Sequence, residues 1–169
     1  MKLYMKRNNI ESGIDFTIYN HLEKIVFNVR GTVDSSLKMK LEGRSGEVFS
    51  SIRLNSFMFT YFSVRCARRM YILVPCIRER FAFAIYGSTY RFAGNLASGE
   101  FTMENTDGEV LMTIKKVRTS SGEAFELDIK EDEKKLFLIS AAVCAASYQV
   151  FAEPETPQVC CWVCQIFRR

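Results

Sequence analysis

A single histidine, His21 in "YNHLEK", is available to this 169-residue chain. Any Ser-His or Cys-His nucleophile would have to be activated through it. It falls between two alternating segments, where a turn residue is expected. Phosphate-cradling loops fare no better: "GRSGEVFSS" lacks the lysine of a P-loop, and "GNLASGE" lacks the strand, loop and helix context that aims backbone amides at an anion. Both read as hairpin turns. Asp128, Glu131, Asp132 and Glu133 crowd together as a hard cation such as calcium would require. Their spacing lacks the D-x-D-x-D-G alternation of a calcium loop, and acids ahead of a helix have a structural use. No catalytic set, metal or cofactor is therefore expected, and the chain reads as a non-enzymatic binding module.

Two kinds of side chain remain. Cys160, Cys161 and Cys164 crowd "QVCCWVCQIF", set off by Pro154 and Pro157. A structural zinc site needs four ligands, and no second pair accompanies Cys161 and Cys164. The alternatives are S-acylation beside Trp162, Phe167, Arg168 and Arg169, or simple packing of the apolar residues. Basic residues form short clusters: Arg65, Arg68 and Arg69 in "VRCARRM", Arg78 and Arg80 in "CIRERF", and Lys115, Lys116 and Arg118 in "IKKVRT". If these converge they offer guanidinium forks and ammonium point charges to phosphate oxygens; otherwise they are a solvated face. "NSFMFTYF" would add aromatic residues at a bilayer interface, or be a strand and its neighbour.

The elements that must carry these residues follow from periodicity. Ile14, Phe16 and Ile18 alternate with polar neighbours, as do Leu37, Met39 and Leu41, then Phe81, Phe83 and Ile85, then Phe125, Leu127 and Ile129. Each is a strand with one wet and one buried face. Turn signals such as "GRSG", "NTDG" and "SSG" separate about twelve such strands, the pattern of an all-β sandwich or barrel. The hairpins "FTIYNHLEKIVFNV", "MKLEGRSGEVFSSI", "FTMENTDGEVLMTI" and "FELDIKEDEKKLFLI" look alike, as a repeated unit with uneven spacing.

The uncharged run from Leu136 to Ala152 is apolar on every side, which marks a helix buried all round, with Asp132 as its expected N-cap. At 1.5 Å per residue it reaches roughly 25 Å, short of the roughly 30 Å hydrocarbon core of a bilayer. Ala141, Ala142, Ala145 and Ala146 keep it slim enough to fill a closed sheet. The length fits one domain over residues 1–152, followed by a tail over 153–169. Apolar residues at 48% and charged residues at 25% are globular values, and a net charge of +4 scattered along the chain is too mild for a nucleic-acid stripe. "MKLYMKRNNIESG" has no apolar signal core, so a cytoplasmic protein with reduced thiols is expected, peripheral at a membrane if the tail or the basic clusters engage one.

This order of elements, with "YRFAGN", "DGEVLMTIKK" and "SGEAFELDI" followed by the apolar helix within Thr89–Ala146, resembles the LURP-one-related family of the tubby C-terminal-like superfamily, distant kin of phospholipid scramblases. The resemblance implies a twelve-stranded barrel around a central C-terminal helix. Tubby domains bind phosphoinositides through basic surface residues and scramblases act on membrane phospholipids, so it also implies an anionic lipid ligand for the basic clusters. A protein-interaction scaffold without lipid affinity is the alternative, because a fold does not determine its function.

Overall fold

Inward and outward residues alternate along the wall of the molecule as the sequence requires. In Leu37–Gly43, for example, Leu37, Met39, Leu41 and Gly43 are buried while Lys38 and Lys40 are exposed. The computed structural model describes residues 1–8, 14–33, 36–56, 60–76, 81–95, 98–119 and 122–151. They form β1 (Lys2–Asn8), β2 (Ile14–Asn20), β3 (Ile25–Val33), β4 (Leu37–Gly43), β5 (Val48–Asn55) and β6 (Tyr61–Cys66). The chain continues through β7 (Arg69–Pro75), β8 (Phe81–Tyr86), β9 (Arg91–Asn95), β10 (Glu100–Glu104), β11 (Val110–Thr119), β12 (Gly122–Ile129) and α1 (Lys135–Phe151). Every strand pairs antiparallel with its sequence neighbours, and β1 pairs with β12, as in Leu3 opposite Leu127, so the sheet closes into a barrel.

The helix is the core. Ala141, Ala142, Val143, Cys144 and Ala145 are 0% exposed, and Leu3, Ile18, Leu41, Phe62, Leu73, Phe92 and Leu127 close on them from all round the wall. Each large side chain buried here stabilises the fold by roughly 1.5–3 kcal/mol. Alanine on successive turns is what lets a helix fit, because twelve strands leave a lumen wider than side chains of the wall can fill. Aromatic contacts hold both ends: Phe137 lies 4.1 Å from Tyr71 and 5.8 Å from Tyr90, and Tyr148 meets Phe83 edge-on at 5.9 Å. Among the described residues no helix is long and apolar enough to cross a membrane.

Two hydroxyls on the helix are satisfied by the wall. Ser140 donates to the Leu136 carbonyl at 2.7 Å, so the Ser50 hydroxyl donates to Ser140 Oγ, also at 2.7 Å. Ser147 donates to Met39 Sδ at 3.4 Å. A buried hydroxyl left unpaired would cost about 1–3 kcal/mol; among the described residues no buried side-chain nitrogen or oxygen lacks a partner. Both anchors lie on β4 and β5.

The expected N-cap is corrected. The helix starts at Lys135, and the carbonyl that accepts from the Leu138 amide belongs to Lys134, not Asp132. Asp132 makes the preceding turn instead: its carbonyl accepts from the Lys135 amide, and its carboxylate lies 3.4 Å from the Lys135 ammonium. Asp132 thus serves the turn that precedes the helix.

Because neighbouring strands run antiparallel, successive turns alternate between the two ends of the barrel. Turns 20–24, 43–47, 67–68, 87–90 and 105–109 share the end at which the helix enters, and the β11–β12 turn lies at the other. Three of the hairpins that look alike in sequence share one geometry. In each, the first residue of the turn bonds across to the fifth, at 3.0 Å for Asn20 and Lys24, 2.9 Å for Gly43 and Glu47, and 3.0 Å for Asn105 and Glu109. The fourth residue has a positive φ: Glu23 at 56°, Gly46 at 87° and Gly108 at 81°. This is a type I turn closed by a left-handed residue, for which glycine is the least strained choice. A strand register shift follows in all three, at Ile18/Tyr19, Leu41/Glu42 and Met103/Glu104. The fourth hairpin leads into α1.

Candidate anion-binding surface

The two clusters that fall within the described residues do not meet. Arg68 and Arg69 are exposed beside the β6–β7 turn at the helix-entry end, while Lys116 and Arg118 approach the β11–β12 turn at the opposite end. Arg65 points outward one residue short of the end of β6, opposite Met70 and near the same turn. Arg78 and Arg80, Phe57 to Phe59 of the aromatic run, and Cys160, Cys161 and Cys164 with the rest of the tail lie outside the described residues.

On β11 the basic residues are matched by acids. Lys116 Nζ lies 2.8 Å from Glu123 Oε2, and Arg118 stands opposite the same Glu123. Lys115 is opposite Glu126, which also takes Lys2 at 3.1 Å. The Lys116 ammonium, by hydrogen bond and charge, holds the Glu123 carboxyl below the usual carboxylate range. The hydrogen bond from Lys130, at 2.7 Å, does the same to Asp128. Three of the four acids that read as a calcium candidate are thus engaged by lysines: Asp128 by Lys130, Asp132 by Lys135, and Glu131 by Lys134 at 4.0 Å.

The opposite wall is different. Register places Arg30 opposite Lys40, Lys38 opposite Arg53, and Ser51 between Lys40 and Arg65. All five cations are exposed on the outer face of β3 to β6. Side chains directly opposite each other on a sheet have Cβ atoms roughly 4.5–5.5 Å apart, and like charges there are destabilising. Two such like-charged pairs stand side by side. Glu42 lies 3.8 Å from Arg30, and Lys40, Arg53 and Arg65 have no ion pair with another described residue. Ser51 and Ser63 sit among them and can donate hydroxyl hydrogen bonds. Chemically this face can hold phosphate or carboxylate oxygens by charge-assisted hydrogen bonds. Only Arg65 of the group belongs to a cluster visible in sequence. Arg30, Lys38, Lys40 and Arg53 were recognisable as wet-face residues, but nothing short of register puts them side by side.

Other candidate side chains among the described residues stand apart from this face. His21 is exposed in its turn. Cys66 and Cys144 are buried, and burial pushes both thiols up, Cys144 well above the ordinary value. An open groove of about 470 Å³ on the outer wall has Asn95, Glu100, Thr102, Thr113 and Lys115 in its lining beside Gly94, Phe101 and Ile114, a largely apolar surface with one acid and one base. Among the described residues no group of histidine, cysteine and acidic side chains is placed to hold a metal ion. No protein-family model matches the chain, and no curated protein is found to be similar to it.

Proposed function

We propose that the barrel is a binding module for anionic membrane phospholipid, with headgroup phosphates received on the outer face of β3 to β6. The observation that carries this is the pair of like-charged rows, Arg30 with Lys40 and Lys38 with Arg53, continued by Arg65. Folding gains nothing from placing cations opposite one another. A bound polyanion turns that cost into attraction, and each Lys or Arg near an anionic bilayer contributes about 1 kcal/mol. The resemblance to the tubby-like superfamily supports the same ligand class.

Flotation with vesicles of phosphatidylcholine, with and without phosphatidylserine or a phosphoinositide, tests this reading. The chain should float with the anionic vesicles and detach as salt rises, because exposed charges are screened beyond about 8–10 Å at physiological ionic strength. Binding that ignores lipid charge, or an absence of binding to every anionic vesicle, would sink the proposal in favour of a protein partner.

A further inference from the structure

Among the described residues the large apolar side chains left exposed are Met1, Leu22, Ile25, Val33, Val48, Met70 and Val110. All but Val33 lie at the helix-entry end. Single exposed apolar residues need no explanation, but a set collected at one rim does. The shared hairpin geometry is its origin: Ile25, Val48 and Val110 each follow the left-handed turn directly, in the same position of the same unit. Met70 stands just past the β6–β7 turn, where Ala67 at φ 47° and Arg68 at φ 63° both occupy the left-handed region that side chains disfavour. That tight turn holds Arg68 and Met70 out at the tip.

The rim is electrically divided. On its β2 to β7 half, three consecutive hairpin tips each join a cation to an apolar side chain: Lys24 with Leu22 and Ile25, Arg44 with Val48, and Arg68 with Met70. Glu23 and Glu47 stand there too, against Lys24, Arg44, Arg68 and Arg69. On the other half, Val110 adjoins Asp107 and Glu109, and on the approach to the helix Glu131, Asp132 and Glu133 stand among Lys130, Lys134 and Lys135, with ion pairs from Lys134 to Glu131 and from Lys135 to Asp132. The basic half is continuous with the cationic face of β3 to β6, because the same strands form both.

We infer that the β2–β3, β4–β5 and β6–β7 tips dip into the interfacial layer of an anionic bilayer, seating Leu22, Ile25, Val48 and Met70 among the headgroups and upper acyl chains. This rests on the lipid-binding reading and adds an orientation to it. The barrel leans on its β2 to β7 side, where cations outnumber acids and the apolar tips stand beside them. Attachment then has two parts, a salt-sensitive one from the basic face and a salt-resistant one from the tips.

The test compares the full chain with the triple variant Ile25→Ser, Val48→Ser, Met70→Ser on phosphatidylserine-containing vesicles and monolayers. The native chain should raise the surface pressure of the monolayer and keep part of its binding at high salt. The triple variant should lose both, with affinity reduced about tenfold or more, as expected for apolar area withdrawn from an interface. A triple variant that inserts and resists salt like the native chain overturns the inference while leaving the lipid reading standing. No binding by the native chain overturns both. A native chain that dimerises in solution, and becomes monomeric in the triple variant, gives the rim to a second copy and overturns the inference. Val48→Trp removes nothing from the fold and provides an independent readout: its added indole emission, over the Trp162 background, should shift to the blue with anionic vesicles, and an unmoved spectrum counts against insertion.

Discussion

The two sides of the barrel wall use the same residue types to opposite effect. On β11, β12 and β1, cations and acids face each other, with Lys116 against Glu123 and Lys2 against Glu126. On β3 to β6, cations face cations. Both arise from strands that alternate apolar and charged residues, but β12 supplies Glu123, Glu126 and Asp128 to the first wall, while β3 to β6 carry Glu42 as their one acid. A charge-matched wall is complete in itself, whereas a wall with cations in excess, where Arg30 has Glu42 and Asp15 beside it, can take up anions from outside the molecule. The interior echoes this asymmetry, because both hydroxyl anchors of the helix reach to β4 and β5.

The severest way to break the comparison is to remove what both walls share. Ala142→Asp places an uncompensated charge at a fully buried position, and the chain should lose its cooperative thermal transition and its vesicle binding together. A folded variant would show that the lumen admits water. Next in size, Arg53→Glu with Arg65→Glu should weaken binding to phosphatidylserine vesicles by about 100-fold or more, at about 1 kcal/mol per basic residue and twice that on reversal, with thermal stability retained. Lys116→Glu with Arg118→Glu should change binding far less, since those cations already face Glu123. Equal losses in the two pairs would erase the distinction between the walls.

A smaller effect tests the tie between helix and basic wall. Ser140→Ala leaves the Ser50 hydroxyl without its acceptor and should cost about 1–3 kcal/mol in denaturant unfolding. Adding Ser50→Ala should recover part of that loss, and strictly additive losses would deny the pair any coupling. The least perturbing measurement is an NMR titration. Glu123 has its folded pKa lowered by Lys116, so the pair stabilises above the ordinary glutamate range and is lost as pH falls through the lowered value. Lys116→Gln should return Glu123 to ordinary titration. A carboxyl that titrates alike in both chains would show the matched wall to be loosely paired.

Much of the architecture was readable from periodicity, and for physical reasons. Leu37, Met39 and Leu41 could only alternate with lysine if one face of their strand was dry, and a run such as "SAAVCAA" could only be helical and enclosed. The likeness among hairpins was real at the level of turn geometry, because "NTDG" and "GRSG" place glycine where a left-handed residue is needed. The cationic face was not readable. Density along the chain drew attention to "VRCARRM" and "IKKVRT", while Arg53 in "SIRLN" looks solitary until β4 and β6 are laid beside it. Cross-strand adjacency is set by where each turn begins and by the bulge that follows it, and a slip of one residue would exchange inner and outer faces. The N-cap was misplaced because the helix starts at Lys135, later than the run of acids suggests, and Asp132 belongs to the turn before it.

The seam between β1 and β12 has a consequence in time. Leu3 waits for Leu127, and the wall has no other means of closing, so the pairing that completes the barrel spans almost all of the described chain. Such long-range closure belongs to slow folding. Because α1 follows β12 and lies inside the wall, the lumen stays unfilled until the last element of the barrel is in place. During synthesis, a chain that has released only β1 to β11 has two open strand edges and an unfilled apolar lumen, a ready template for pairing with its neighbours. The elements that emerge after β11 decide whether everything made before them becomes a barrel or an aggregate.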